Sequence, residues 1–458
     1  MAQHEQRSLS AAFWMVICCL LPILVIYGLA AVGIVISPLI LLLMMLFCWL
    51  AMSSHLMAGC HAEQDRRSAK SCHAGQEADE EPEDFTAGSL LESARQHRVG
   101  RTTIIEGELT DASPEVAYQA SYEQMREQLA DRDVTPLLQE DEFGRPQLVV
   151  VPGRLDDPSP GSGPLLHVLL FLAAIATTTW AGALHQGINL LEEPGRLTAG
   201  LPYSLTLMLI LGAHELGHYF AARHHGVNVT LPYFIPVPFA LGTFGAFIRM
   251  KSLPSNRKAL FDVAVAGPLA GLVFAVPALL IGLGQSQIVD AAGDAAASVG
   301  FMHHHGTGVG SSVLLAFLAK LSLGDAISQG HQLILHPLAF AGWLGLIVTA
   351  LNLLPIGQLD GGHIADAMFG IRRSASISTV ALTCLFFLGL FVWSGLLMWA
   401  LIAFFMAGGK GIASANDLIR LDPGRKALGV VAFVILLLIL TPVPHAFYES
   451  LGIHCPYL

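Results

Sequence analysis

Pro202-Tyr-Ser-Leu-Thr-Leu-Met-Leu-Ile-Leu-Gly-Ala-His-Glu-Leu-Gly-His-Tyr-Phe-Ala-Ala222 decides how the rest of the chain is read. Leu201 to Ile210 is almost wholly apolar, and the run is long enough to cross a bilayer, which takes about 20 residues. Its second half carries His214, Glu215 and His218. Residues four apart share a helical face, so both imidazoles can hold one metal while Glu215 points at a water beside it. At about 1.5 Å rise per residue, His214 lies roughly 18 Å from the start of the run and about 12 Å from its end. A metal held there sits within the membrane, nearer one face. The alternative leaves two histidines and a glutamate in lipid without partners, which is costly.

The whole composition agrees with a membrane setting. The chain has 458 residues, of which 53% are hydrophobic and 13% charged. Its mean hydropathy is +0.59. These values exclude an ordinary soluble enzyme and point to a polytopic α-helical protein with the lipid bilayer as partner. The net charge of −11 comes largely from one acidic stretch, so no nucleic-acid partner is expected. Seven cysteines are scattered without the spacing of a disulfide framework. The pairs Cys60-His61 and Cys72-His73 lack tetrahedral zinc spacing, and His303 to His305 reads as a solvated loop.

Outward from the central run, the chain divides into five parts. Residues 12–29 and 33–53 are apolar, giving an N-terminal transmembrane hairpin over 1–55. Residues 56–100 read as an acidic disordered linker. Over 101–155, Thr102–Glu106, Val134–Leu138 and Gln147–Val151 read as strands, and Pro114–Leu129 as a helix with Ser113 as N-cap. That predicts a small α+β soluble domain before the catalytic core. The core spans 160–445, with apolar runs at 164–184, 202–222, 261–283, 336–355, 375–391, 393–408 and 427–443, and a tail over 446–458. The 375–408 stretch is one helix or two, with Ser394-Gly395 as the break; two gives about nine spans. Basic residues then fall on one side (Arg223, Arg249, Lys251, Arg257, Lys258, Arg372, Arg373, Lys410, Arg420, Arg425, Lys426), against Lys320 alone in the 284–335 loop.

A second polar motif, Asn352-Leu-Leu-Pro-Ile-Gly-Gln-Leu-Asp-Gly-Gly-His363, closes another apolar run. Pro355, Gly357, Gly361 and Gly362 break the helix, and irregular backbone at membrane depth needs protein or a water-filled cavity around it. The runs at 202–222 and 336–355 are separated by one other span and so point the same way. Both motifs lie near the C-terminal ends of their runs, at similar depth. Asp360 is thereby expected as the third ligand, and two histidines with a carboxylate leave one position of a catalytic zinc open. Taken alone, Asp360 would read as a turn residue; His363 reads as structural.

With these motifs in place, the chain resembles the site-2 proteases, the family of intramembrane zinc metalloproteases. The resemblance rests on His214-Glu-Leu-Gly-His218, on Asn352, Pro355 and Leu359-Asp-Gly-Gly362, and on Ala266-Gly-Pro268 between them. Gly242-Thr-Phe-Gly-Ala-Phe-Ile-Arg-Met250 and Asn256-Arg-Lys-Ala-Leu-Phe-Asp262 resemble the branch found in archaea, bacteria and chloroplasts. Chloroplast-type members carry Gly-Asn-Leu-Arg where this chain has Gly107-Glu-Leu-Thr110, and there is no room for a PDZ domain. The resemblance implies hydrolysis of peptide bonds in transmembrane protein substrates. His214, His218 and Asp360 would hold Zn2+, with Glu215 as the general base. It also gives Asn352 a substrate or oxyanion contact, with interhelical hydrogen bonding as the other reading. The rival class is a membrane metal transporter or metal-binding protein using the same residues, which would have no need of Glu215. A bacterial cytoplasmic membrane is expected, with the site toward the cytoplasm.

Between the two motifs, Pro232, Pro236, Pro238, Gly242 and Gly245 rule out a continuous helix. Phe244 to Met250 suits a short strand in a re-entrant hairpin beside the metal. Phe244, Ala246 and Ile248 are the expected substrate-binding residues, because an unwound substrate could pair with the free strand edge. The other reading is a hairpin that plugs the cavity against lipid.

Overall fold

A computed structural model of the chain describes residues 91–99, 102–109, 134–140, 145–153, 163–237, 241–290, 312–324, 331–391, 395–407 and 414–441, with a few positions between 122 and 129. The expected N-terminal hairpin over 1–55, the linker up to 90 and the 446–458 tail lie outside the described residues.

The first part is a four-stranded antiparallel sheet of β1 (Leu91–Val99), β2 (Thr102–Leu109), β3 (Val134–Glu140) and β4 (Pro146–Pro152), in the order β1-β2-β4-β3. Three strands fall where the apolar pattern put them. β1 lies inside the stretch read as a disordered linker, and that reading is corrected there. Its sequence, LESARQHRV, is mostly polar and carries little strand signal of its own. It forms by pairing with β2, from Leu91 opposite Leu109 to Val99 opposite Thr102. Tyr122 covers the sheet and donates its hydroxyl to the Pro136 carbonyl at 2.7 Å.

The second part is helical: α1 (Pro164–His185), α2 (Leu201–His224), α3 (Arg257–Gly284), α4 (Val313–Leu323), α5 (Pro337–Leu353), α6 (Asp360–Phe369), α7 (Ile371–Phe391), α8 (Gly395–Ala407) and α9 (Pro423–Leu440). Two short antiparallel strand pairs interrupt it among the described residues. β5 (Tyr233–Pro236) pairs antiparallel with β6 (Thr243–Phe247), and β7 (Gln287–Asp290) with β8 (His331–Ile334). α4, β7 and β8 fall in the segment that the sequence leaves as a plain loop between spans.

Four helices are long and apolar enough to cross a membrane: α1, α3, α7 and α9. This is the count among the described residues; two of the nine expected spans, at 12–29 and 33–53, lie outside them. α2 has the length at 24 residues, but its polar groups dilute its apolar character. α5 has 17 residues and α8 has 13. The 375–408 stretch contains two helices, α7 ending at Phe391 and α8 beginning at Gly395.

α2, α3 and α5 form the centre, where Ile210, Phe261, Leu279, Leu346 and Leu353 are almost fully buried. Small residues set the spacing. A Cβ on Gly282 would meet the Ala339 backbone nitrogen at 2.2 Å, and one on Gly342 the Leu279 nitrogen at 2.6 Å. α3 continues through Pro268 and Pro277, which neighbouring helices tolerate in a buried bundle.

Candidate active site

α2 remains helical through the polar motif, so His214, Glu215 and His218 share one buried face. Asp360 arrives from a different element. After Leu353 the chain turns, with Gly357 at a positive φ of 51°, and restarts as α6 with Asp360 in its first turn. The two glycines that follow permit this fold-back. A Cβ on Gly361 would stand 2.0 Å from the Leu353 carbonyl oxygen, and one on Gly362 would stand 2.3 Å from that of Gly357. The helix N-terminus also favours a carboxylate at that position.

The three side chains converge. His218 Nε2 lies 3.2 Å from Asp360 Oδ2, His214 Nε2 3.4 Å from the same oxygen, and the two Nε2 atoms are 3.2 Å apart. Ligand bonds of about 2.0–2.1 Å at tetrahedral angles would separate neighbouring donor atoms by about 3.3 Å. The donor set and its spacing therefore fit one zinc ion, and this is the one metal-capable group among the described residues.

Each ring is held from behind. His218 Nδ1 is 2.8 Å from the Val263 carbonyl, which can only accept, so Nδ1 carries the proton and Nε2 presents its lone pair to the site. α3 can come this close because residue 267 is glycine: a Cβ there would stand 2.1 Å from His218 Nε2. Gly271 does the same beside His214, with its Cβ position 3.3 Å from Nδ1. Gly267 gives the Ala266-Gly-Pro268 motif its physical reason.

The other expected residues sit at different distances from this centre. Asn352, in the last turn of α5, places its amide nitrogen 3.1 Å from His214 Nε2. Glu215 is buried beside the ligands and accepts a hydrogen bond from the Ile248 backbone N–H. Ile248 itself lies just past the end of β6, so the strand is shorter than the expected Phe244–Met250. Ala246 is half-buried and pairs with Phe234, whereas Phe244 is 76% exposed; both stand outside the ligand group. His363 is buried, and its Nδ1 has no hydrogen-bond partner among the described residues.

Two contributors were missed in the sequence, the Val263 carbonyl and the Ile248 amide. Both act through the backbone, which any residue type supplies. The only available pointer was proximity, since Val263 precedes Ala266-Gly-Pro268 by one helical turn and Ile248 lies in the quoted hairpin motif.

Residues 202–395 match the model of Peptidase family M50. Among curated proteins, the chain is similar to "Probable zinc metalloprotease EGY2, chloroplastic" of Arabidopsis thaliana, 31% identical over 345 residues that cover 73% of this chain and 59% of the relative. It is 36% identical over 257 residues to "Probable zinc metalloprotease EGY1, chloroplastic" of the same plant, covering 56% and 45%. A third relative, "Probable zinc metalloprotease EGY3, chloroplastic" of Oryza sativa subsp. indica, is 32% identical over 305 residues, covering 63% and 50%. The chain thus spans between 45% and 59% of the length of these relatives. No solved structure matches it.

Proposed function

We propose that the chain is an intramembrane zinc endopeptidase of the site-2 protease family, supported by the match of residues 202–395 to the model of Peptidase family M50 and by the likeness to zinc metalloproteases. The observation that carries the proposal is the convergence of His214, His218 and Asp360, from two helices far apart in sequence, at zinc-ligand spacing. A zinc ion held there would supply Lewis acidity and bring water into a reactive range near neutral pH.

The protein's own groups do the rest. Glu215 takes the proton of the attacking water and returns it to the leaving amine. Its role as base is supported by its burial beside the ligands while remaining outside the ligand set. A transporter would have no use for such a group, which disfavours that reading. The Val263 carbonyl keeps His218 in the ligating tautomer. Asn352 stands where its amide can hydrogen-bond the substrate backbone or the oxyanion that develops during attack.

The substrate is a transmembrane segment that unwinds locally, because a helix hides its carbonyls in its own hydrogen bonds. β6 is the docking edge in this reading, with Phe244 and Ala246 along it and Ile248 just past its end. Its support is that β6 pairs with β5 on one side and has no strand partner on the other among the described residues. Main-chain pairing accepts extended backbone with little regard to side chains. The Ile248 amide would then link the docking strand to Glu215. The full set of about nine spans, the soluble domain over 101–155 and an active site on the basic, cytoplasmic side complete the proposal; the distribution of Lys and Arg supports them.

The test is zinc content and cleavage of a model transmembrane substrate by the purified chain. Asp360→Ala is expected to lose stoichiometric zinc and to lower cleavage on the order of 10³-fold or more. Retention of one zinc per chain in that variant would reduce Asp360 to a turn residue.

A further inference from the structure

His218, Ala222 and His225 recur at the i, i+4 and i+7 spacing of one helical face at the end of α2, and that face meets α3 twice. The first meeting is the His218 Nδ1 hydrogen bond to the Val263 carbonyl. The second falls one residue earlier on α3, where His225 Nε2 lies 2.9 Å from Asp262 Oδ2. Ala222, Val227 and Val263, all buried, fill the space between the two ties.

A third element grips the same carboxylate. Arg425, in the first turn of α9, donates Nε to Asp262 Oδ1 at 2.7 Å and Nη2 to Asp262 Oδ2 at 2.6 Å. Two parallel bonds of this kind are among the strongest and most directional that a carboxylate accepts. Arg425 is fixed in turn by Asp422, the N-cap of α9, which accepts from its Nη1 and, at 3.0 Å, from its backbone N–H. Those bonds hold the Asp422 carboxyl down at about 2. None of these four residues has a part in the mechanism above.

We propose that Asp262 is a positioning residue of the metal site. The grip of Arg425 and His225 on its carboxylate sets where the next residue's carbonyl stands, and that carbonyl sets the tautomer and orientation of His218. The proposal rests on His218 being a zinc ligand. Partners that orient a ligand from behind typically change metal affinity by about 10- to 100-fold when lost.

The zinc dissociation constant of the purified full chain, measured by competition with a chelator, tests it. Asp262→Asn keeps the size and removes the charge, and is expected to weaken zinc binding about 10-fold. Arg425→Lys keeps the charge and removes the two-pronged grip, so it should weaken binding in the same direction by less. It also carries the test if Asp262→Asn does not fold. A purely structural clamp would lower the unfolding midpoint of the zinc-free protein and leave zinc affinity at the wild-type value in both variants. That outcome overturns the proposal. A wild-type chain that takes up no zinc would instead contradict the metal reading beneath it.

Discussion

The two ends of the α2–α3–α5 bundle are held together in different ways. At the end carrying the start of α2, the close approaches come from small residues. A Cβ on Gly200 would stand 1.9 Å from the Thr179 carbonyl, and one on Gly282 would stand 2.2 Å from the Ala339 nitrogen. Tyr203 and Phe340 stack across the gap, and the side-chain hydrogen bonds between helices here are neutral, as between the Thr178 and Ser204 hydroxyls and from Ser204 to the Ile175 carbonyl. At the end carrying His218, the ties are charged or involve imidazoles: His218 to Val263, Asp262 to Arg425 and His225, and Arg257 to Asp417. Backbone packing is enough to hold helices in apolar surroundings. Polar groups there are expensive, and their concentration at one end coincides with the candidate metal site.

The same substitution at the two ends should separate packing from function most sharply. Gly267→Ala puts a methyl group into the His218 ring and should lose zinc, with cleavage falling on the order of 10²-fold or more. Gly282→Ala presses instead on the Ala339 backbone and should cost roughly 1–3 kcal/mol of stability, with zinc content unchanged. Zinc assay and thermal unfolding of both proteins read this out. Equal zinc loss in the two variants would erase the distinction between the ends.

A smaller contrast concerns polar ties. Arg257 donates Nε and Nη2 to the two oxygens of Asp417 at 2.8 and 2.9 Å, and both side chains are only 9% exposed. Arg257→Met leaves the buried Asp417 charge without its partner and should cost about 3–5 kcal/mol. Thr178→Val at the other end removes a hydroxyl whose contacts, with Ser204 and the Ala174 and Ile175 carbonyls, are all neutral, and should cost about 1 kcal/mol. Chemical denaturation measures both, and comparable losses would contradict the account of the inner ties.

The smallest expected effect is a pH dependence. Burial pushes the Asp366 carboxyl, on α6 between the spans, up to about 6, against the hydrogen bond from Ser374. A raised folded value means that the stabilising contribution is full below the unfolded value near 3.8 and is lost as pH rises through about 6. Asp366→Asn should therefore gain stability relative to wild type between about pH 4 and pH 7, on the order of 1 kcal/mol after screening. A difference that stays flat with pH would show that the buried carboxyl does not titrate in this way.

How much of this was legible in the sequence follows the same division. His214, Glu215 and His218 are read from spacing, and Asp360 from a matching depth on a parallel run, because side-chain identity and helical period carry that information. The sheet strands β2, β3 and β4 are legible for the same reason. β1 is not, since a polar segment becomes a strand only when β2 offers it an edge. Val263 and Ile248 are illegible because their contribution is a carbonyl and an amide. Two of the nine expected spans lie outside the described residues, and of the seven other apolar runs four become helices that meet length and apolarity. Periodicity marks apolar runs without saying how many residues of each become helix, and α5 ends at Leu353 because the site itself needs the turn that follows.

The claim on which everything above depends is that Glu215 activates water without holding the metal. Glu215→Gln keeps the size of the side chain and removes its ability to take a proton. The purified variant, assayed for bound zinc and for cleavage of a model transmembrane substrate, should retain about one zinc per chain while cleavage falls by about 10²- to 10⁴-fold. Cleavage near the wild-type rate in zinc-loaded Glu215→Gln protein would contradict it.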